Sequence, residues 1–396
     1  MERLKPSSVE EAAEMISAAA AEKKTLEIFS GGSKRRLGRF APADLLFDIS
    51  ALSGVIDYDP AELVLTARAA TPMKEIEALL AEKSQMQAFE PPDWRGLLGG
   101  DGEPTIGGVL ACNLAGPRRL RAGAARDFFL GFSAINGRGE IYKAGGKVVK
   151  NVTGYDLCKL QAGAYGTLSV LTEVTIKTMP RPEASCTLLL SGLADEAAIA
   201  LMAQALNSPH EVSAAAHLPA GAAPEGAITA LRLEGPIPSI AFRADALESL
   251  LGRGARLDGP ESAKFWSDIG QVHALLSPNR SCVWRLCPTP SSAAAVFRAI
   301  REKFGSAQGF YDWGGGLVWL SLDAGETGAD GGADFLRRTL RAAGGHATLV
   351  AASDEMRGKI AVFDLEPAPL AALSLRVKQG FDPEGILNPG RVQQGR

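Results

Sequence analysis

The stretch 163-GAYGTLSVLTEVTIKTMPRP-182 sets a glycine turn directly before a long alternating strand, Thr167 to Met179. A polar turn at Thr153-Gly154 and a second at Gly163 to Gly166 bracket YDLCKLQAG, a compact helical run, so the backbone is brought back sharply before the strand begins. Glycine at 163 and 166 removes side chains that would hold a flat or charged ligand away, and leaves amides free to bond it. A helix C-cap followed by a tight turn explains the same glycines without any ligand. Local sequence leaves both readings open.

Around this feature the chain divides. Its 396 residues exceed one typical core, so two domains of unequal size are expected. Up to about residue 180, short strands alternate with helices: a helix from Ser8, strands at TLEIF and LLFDIS, and ELVLTARA patterned as a half-buried strand. Both Ser7-Glu10 and Ser8-Glu11 have capping-box spacing, and the acidic residues in this N-terminal helix argue against a signal peptide. TPMKEIEALLAEK reads as a helix with Thr71 as N-cap and Pro72 at its first position. In 90-EPPDWRGLLGGDGEPTIGGVLACNLAG-116, proline and glycine crowd more residues than a connection needs, which marks a functional loop. Beyond PRPEA, alternation in SCTLLL, SCVWRL and GLVWLSL predicts an antiparallel sheet with helices on one face. LSLRVKQGFDPEGILNPGRV reads as a helix stopped by Gly380, then a turn with two prolines.

Composition excludes several classes. Hydrophobic residues are 46% and charged residues 22%, with 42 basic against 45 acidic side chains, so nothing is basic enough for nucleic acid. The cysteines at 112, 158, 186, 282 and 287 form no CxxC pair, which argues against an iron-sulfur cluster held by this chain and for a reducing compartment. No apolar run reaches membrane length, so a cytoplasmic location is expected. With His210, His217, His273 and His346 as the full histidine set, no pair stands at metal-ligand spacing.

Three glycine-rich sites fall in the first domain: 30-SGGSK-34, 104-PTIGG-108 and 163-GAYGT-167. SGGSK offers close amides, a hydroxyl and a cation to a diphosphate. Neither GxGxxG between a strand and a helix nor GxxxxGK[ST] occurs, so a Rossmann or P-loop site is unsupported.

In the order SGGSK, PTIGG with Asn113, TGYDLCKLQAGAYGTLSVLTEVTIK and terminal FDPEGILNPGR, the chain resembles the vanillyl-alcohol-oxidase, or PCMH-type, FAD-binding family. The resemblance is to its FAD-linked 2-hydroxy-acid dehydrogenase branch, and GGKVVKNVTGYDL with the short alanine-rich cap is similar to the FAD-binding E subunits of bacterial glycolate oxidases. It implies an α+β fold: a PCMH-type two-subdomain FAD-binding domain over 1–180, a smaller antiparallel-sheet cap domain over 181–365, and a C-terminal helix and turn over 366–396 returning to the flavin site. It implies an FAD-dependent oxidoreductase subunit acting on 2-hydroxy acids. A sister catalytic FAD subunit and an iron-sulfur subunit are the implied partners, with peripheral attachment at the inner membrane left open. The alternatives are a self-sufficient FAD-dependent 2-hydroxy-acid dehydrogenase and a flavin-free structural subunit.

Carried over by position, Ser30, Gly31, Gly32, Ser33 and Lys34 would cradle the FAD pyrophosphate. Thr105, Gly107 and Gly108 would line the dinucleotide from the other side, with Asn113 near the flavin. Gly154, Gly163, Gly166 and Thr167 would approach the ribityl and adenosine portions, and Val174 would present its backbone to the adenine end. Asn388 would sit at the isoalloxazine edge, against the alternative of a local Asx-Pro turn. No His or Cys stands near SGGSK, so the FAD is expected to be non-covalent.

One departure from the family matters. Its cap carries H-x-GDGN-x-H, whose histidines help hold a metal that polarises the substrate hydroxyl. The corresponding stretch here is 312-DWGGGLVWL-320, with Asp312 and Trp319 at the histidine positions. Metal-assisted chemistry on this chain is therefore not expected, and no catalytic residue is assigned. His346 reads as a satisfied histidine near a strand start, against the alternative of a substrate contact. Trp313 and Trp319 read as core positions of one alternating strand. Arg118, Arg119, Arg121 and Arg126 form either a solvated basic face or a patch for a carboxylate or an acidic partner.

Overall fold

The computed structural model describes residues 2–147, 154–223, 226–277, 280–323 and 325–393. Two units emerge, one formed by Met1–Ala115, Gly123–Arg181 and Ala361–Arg396, the other by Gly116–Ala122 and Pro182–Ile360.

The first unit holds two main sheets. Glu2–Leu4 (β1), Leu26–Phe29 (β2) and Leu45–Asp48 (β3) form a parallel sheet in the order β1-β3-β2. The helix Val9–Ala21 connects β1 to β2. Ser8 caps it, its Oγ accepting the Glu11 N–H at 3.1 Å, while the Glu11 carboxylate reaches back to the Ser7 N–H at 2.7 Å. The other sheet takes Val55–Asp59 (β4) and Val64–Arg68 (β5). A two-residue strand, Gln85–Met86 (β6), intervenes in sequence; Phe129–Asn136 (β7), Ile141–Gly145 (β8) and Ser169–Lys177 (β9) then complete the order β4-β5-β9-β7-β8, all pairs antiparallel. Met179–Pro180 (β10) pairs with β6.

Alternation under-reads burial here. Val64, Leu65, Thr66 and Ala67 of β5 are all buried, and so are most residues of the central strand β9. Both faces of the sheet are covered, so β5 is not the half-buried strand its pattern predicts. Thr71 is not a helix cap either: the helix is Met73–Glu82, and the Thr71 hydroxyl accepts from the Gly54 N–H and donates within the β5 turn, with Arg68 O at 2.7 Å.

The second unit is built on one eight-stranded antiparallel sheet. Its strands are Ala184–Ser191 (β11), Ala214–Leu218 (β12), Ile228–Gly235 (β13), Ala255–Asp258 (β14), Arg280–Cys287 (β15), Gln308–Asp312 (β16), Leu317–Asp323 (β17) and His346–Ala351 (β18), ordered β14-β11-β13-β12-β16-β17-β15-β18. Together the units give the α+β class, a two-sheet unit and an antiparallel-sheet unit. Gly116–Ala122 groups with the second unit although it lies inside the range 1–180. The Arg118 guanidinium meets the Glu234 carboxylate at 2.5 Å, and the Trp313 Nε1–H donates to the Gly116 carbonyl at 3.1 Å. The final helix, Ala368–Phe381, runs through Gly380 and does not stop there. Among the described residues no helix is long and apolar enough to cross a membrane.

Candidate functional site

β2 ends at Phe29, and the chain turns through Ser30 to Lys34 beside a cleft of about 780 Å³ measured to its open mouth. A Cβ added to Gly31 would lie 1.8 Å from the Glu103 carbonyl oxygen, and one added to Gly102 would lie 1.7 Å from that of Gly31. The two loops therefore meet backbone to backbone, which only glycine permits. Across the same junction the Ser30 and Thr105 hydroxyls are hydrogen-bonded at 2.8 Å. Lys34 Nζ donates to Ser33 Oγ and to the Asp93 carbonyl, tying the turn to the proline- and glycine-rich segment. Burial pushes the Lys34 ammonium down to about 8. The backbone N–H groups of Gly31, Gly32, Ser33 and Lys34 have no acceptor among the described residues. Consecutive unpaired amides beside a cation form an anion-binding concavity.

Thr105 caps the short helix Ile106–Ala111, its Oγ1 accepting the Gly108 N–H. Gly107 donates to the Ala69 carbonyl at 2.8 Å, and a Cβ there would lie 2.7 Å from that oxygen. Opposite them, Gly166 has φ +69° and its amide lacks a protein acceptor among the described residues.

The terminal motif closes this side. Asn388 Oδ1 accepts the Ile28 N–H at 2.8 Å, its Nδ2 donates to the Tyr165 carbonyl at 2.8 Å, and its own N–H donates to Leu26 O at 2.9 Å. It clamps β2 to the Tyr165-Gly166 turn, which replaces both the local Asx-Pro turn and a side chain left free for the flavin. Behind it, the buried Asp382 carboxylate accepts the Ile386 and Leu387 N–H groups at 3.1 and 2.8 Å and pairs with buried Lys378. Lys378 also donates to the Thr167 and Leu387 carbonyls at 2.6 and 3.1 Å. Arg391 donates to the carbonyls of Lys34 and Arg35 at 3.0 and 2.7 Å.

Ile28, Ile49, Ala69, Val170 and Leu171 give the cleft apolar walls. Gln161 and Ser169 line it too, joined through Tyr142, whose hydroxyl accepts from Gln161 Nε2 at 2.9 Å and donates to Ser169 at 3.0 Å. Cys112 also lines the cleft, brought there by the fold and not by proximity to SGGSK in sequence. Burial pushes its thiol up to about 11, so at neutral pH it is a protonated, weak nucleophile.

Of the residues assigned to cofactor binding, Ser30, Gly32, Ser33, Lys34, Thr105, Gly107, Gly108, Gly166 and Asn388 line this cleft. The others do not. Gly31 sits behind it against Glu103. Val174 is fully buried in β9, paired with Ala67 on one side and Phe132 on the other, so its backbone is committed to the ladder. Asn113 accepts the Arg126 N–H, Gly163 donates to the Leu110 carbonyl, and the Thr167 carbonyl accepts from Lys378. Gly154 has open space around its Cβ position, and the Thr153 half of its turn lies outside the described residues.

The second unit recasts two expectations. Arg118 pairs with Glu234, Arg121 with Glu211 at 2.7 Å, and Arg119 lies over the Trp313 ring at 4.8 Å, so these three make contacts within their own unit instead of a free cationic face. Exposed Arg126 belongs to the first unit. Trp313 is in a tight turn, Trp313–Gly315, not in the strand that carries Trp319. Asp312 is buried and accepts the Trp313 N–H at 2.7 Å, the role of a turn cap.

The chain is similar to known proteins in sequence and in fold. Residues 3–145 match the FAD_binding_4 family, described as an FAD binding domain. The glycolate oxidase subunit GlcE of Escherichia coli is 36% identical over 96% of this chain and 95% of its own length. The glycolate oxidase subunit GlcD of Bacillus subtilis is 44% identical over a shorter stretch, 22% of this chain and 18% of that protein. A solved alkyldihydroxyacetonephosphate synthase shares the fold, with a TM-score of 0.70 and 15% identity over 98% of this chain and 75% of its own.

Proposed function

We propose, for a chain that belongs to the glycolate oxidase E-subunit family of PCMH-type FAD-binding proteins, that it is the FAD-binding subunit of a multi-subunit glycolate oxidase whose substrate chemistry lies mainly on a sister subunit. The cofactor is FAD, and the family is one of FAD-dependent oxidoreductases acting on hydroxy acids. The observation that carries the site assignment is the run of unpaired amides from Gly31 to Lys34, beside a buried cation and at the end of an apolar cleft. This donor set fits a ligand with an anionic centre and a flat apolar ring.

In this reading Gly32, Ser33 and Lys34 hold the pyrophosphate, with the Lys34 charge behind them. Thr105 and Ser30 keep the two loops in register. Ile28, Val170 and Leu171 would exclude water from the bound cofactor, and the Gln161 carboxamide would offer it a polar contact. When bound, FAD supplies a two-electron acceptor for alcohol oxidation. The chain's own contribution is to bind and orient it. Asn388 acts by fixing the Tyr165-Gly166 turn.

What the second unit lacks supports the need for partners. Asp312 caps a turn and Trp319 is buried core, so neither supplies the imidazole that the family uses for metal-assisted alcohol activation. Among the described residues no group of three His, Cys, Asp or Glu is arranged for a metal ion. An iron-sulfur subunit would carry electrons away, and any attachment to the inner membrane would come through the complex. Anaerobic addition of glycolate or D-lactate to the isolated FAD-loaded chain is therefore expected to leave its absorbance essentially unchanged. Restoring the sister FAD subunit and the iron-sulfur subunit is expected to bring glyoxylate formation. Rapid stoichiometric bleaching of the isolated chain would instead establish a self-sufficient dehydrogenase.

A further inference from the structure

Strand β15 ends at Cys287, the edge strand β18 begins at His346, and the two residues are direct partners in the antiparallel ladder. Such partners share one face of the sheet, with Cβ atoms roughly 4.5–5.5 Å apart. The pairing sets the imidazole beside the thiol, where it acts to hold the thiol down. Arg285, two residues earlier, falls on the same face. Its guanidinium lies over the Trp313 ring at 5.0 Å, and Arg119 lies over that ring at 4.8 Å. The second unit thus sets a thiol and an imidazole side by side on the face that carries Arg285, and stacks Arg285 and Arg119 on one indole.

This cysteine differs from its fellows. Cys158, Cys186 and Cys282 are buried, whereas Cys287, like Cys112, is partly exposed, and its neighbour His346 is exposed. Burial pushes Cys112 and Cys158 up to about 11 and Cys186 to about 12. Burial also acts to raise the Cys287 thiol, yet the His346 imidazole and the charges of Arg285 and Arg119 leave it below the ordinary cysteine value.

We propose that Cys287, His346, Arg285 and Arg119 form a nucleophilic thiol site for small carboxylates that carry an electrophilic carbon, 2-oxo acids above all. His346 takes the thiol proton, and the sulfur forms a bond to the carbonyl carbon. The carbonyl π pair moves to oxygen, which receives the proton from His346. The product is a thiohemiacetal or thiohemiketal; nothing is oxidised or reduced, and reversal releases the acid. The arginines supply the positive field for its carboxylate. The choice of 2-oxo acids rests on the proposed 2-hydroxy-acid oxidation, whose product is one; the nucleophilic site rests on the cluster alone.

The test is alkylation of the intact native chain at neutral pH with iodoacetate or iodoacetamide, followed by peptide mass analysis of each cysteine. Cys287 is expected to react before Cys112, and to favour the anionic reagent by roughly threefold or more through the two nearby cations. Arg285→Gln is expected to remove that preference and Arg285→Lys to restore most of it, while His346→Gln slows both reagents. Glyoxylate is expected to protect Cys287 at lower concentration than glycolate, which has the charge but no electrophilic carbon. Cys287 reacting no faster than Cys112, or favouring iodoacetamide, would overturn the nucleophilic site. Protection by glyoxylate no better than by glycolate would overturn the adduct. Cys112 lines the FAD cleft, so the comparison with it is made on the apo chain; the Arg285, His346 and glyoxylate readouts do not use the flavin, so failure of FAD binding would leave them intact.

Discussion

Replacing Asp382 by alanine is expected to cost about 3–5 kcal/mol of stability, because it leaves the buried Lys378 ammonium without its counter-charge. Asp382 is 1% exposed and Lys378 7% exposed, so solvent cannot screen the orphaned charge. The loss extends beyond the pair. Asp382 accepts the Ile386 and Leu387 N–H groups, and Lys378 holds the Thr167 and Leu387 carbonyls, so one deletion loosens the terminal turn and the approach to the Gly166 turn together. Asn388 follows that turn by a few residues and clamps the cleft wall at Ile28 and Tyr165. FAD retention is therefore expected to be lost along with stability. Urea unfolding of the apo chain and gel filtration of the yellow protein measure the two effects. A variant with unchanged unfolding midpoint would show that the pair is ornamental.

Gly31→Ala is expected to weaken FAD binding by about two orders of magnitude, or roughly 2.7 kcal/mol. The new methyl would stand 1.8 Å from the Glu103 carbonyl oxygen, with the carbonyl carbon at 2.9 Å. Both obstacles are backbone, so no rotamer change relieves them and the two loops must part. Parting them redirects the amides of Gly32, Ser33 and Lys34 and breaks the Ser30–Thr105 contact. Gly380→Ala is the matched control: it sits in a helix with nothing within 4 Å of its Cβ position, and alanine there is expected to be neutral or stabilising. Isothermal titration of apo protein with FAD decides the comparison, and equal affinities for the two variants would contradict the backbone-contact account.

Gly31 also shows how the site was legible and where it was not. A glycine pair after a strand marks a place where backbone approaches something closely, and the sequence reading took that something to be the dinucleotide. It did not reveal what Gly31 and Gly107 approach, which is the protein's own carbonyls at Glu103 and Ala69. Asn388 was visible as part of a motif, but its partner Ile28 lies 360 residues away, beyond any local periodicity. Lys378 and Asp382 are spaced like an ordinary surface ion pair on a helix, and only tertiary packing makes them a buried anchor. Gln161 and Cys112 carried no pattern at all, since their place in the cleft follows from how β7, β9 and the helix Ile106–Ala111 pack. Strand alternation located β5 and β9 while understating their burial, because a sheet covered on both faces tolerates Thr66 and Thr175 bonded to each other at 2.9 Å in its interior.

The most direct test of the central claim, that this chain holds one FAD without a covalent bond, is acid precipitation of purified protein after reconstitution with FAD, with the flavin counted in supernatant and pellet. One FAD per chain, all of it in the supernatant, is the expected result. Flavin retained in the pellet would contradict the non-covalent assignment and point to Cys112, while a protein that stays colourless after reconstitution would contradict FAD binding itself.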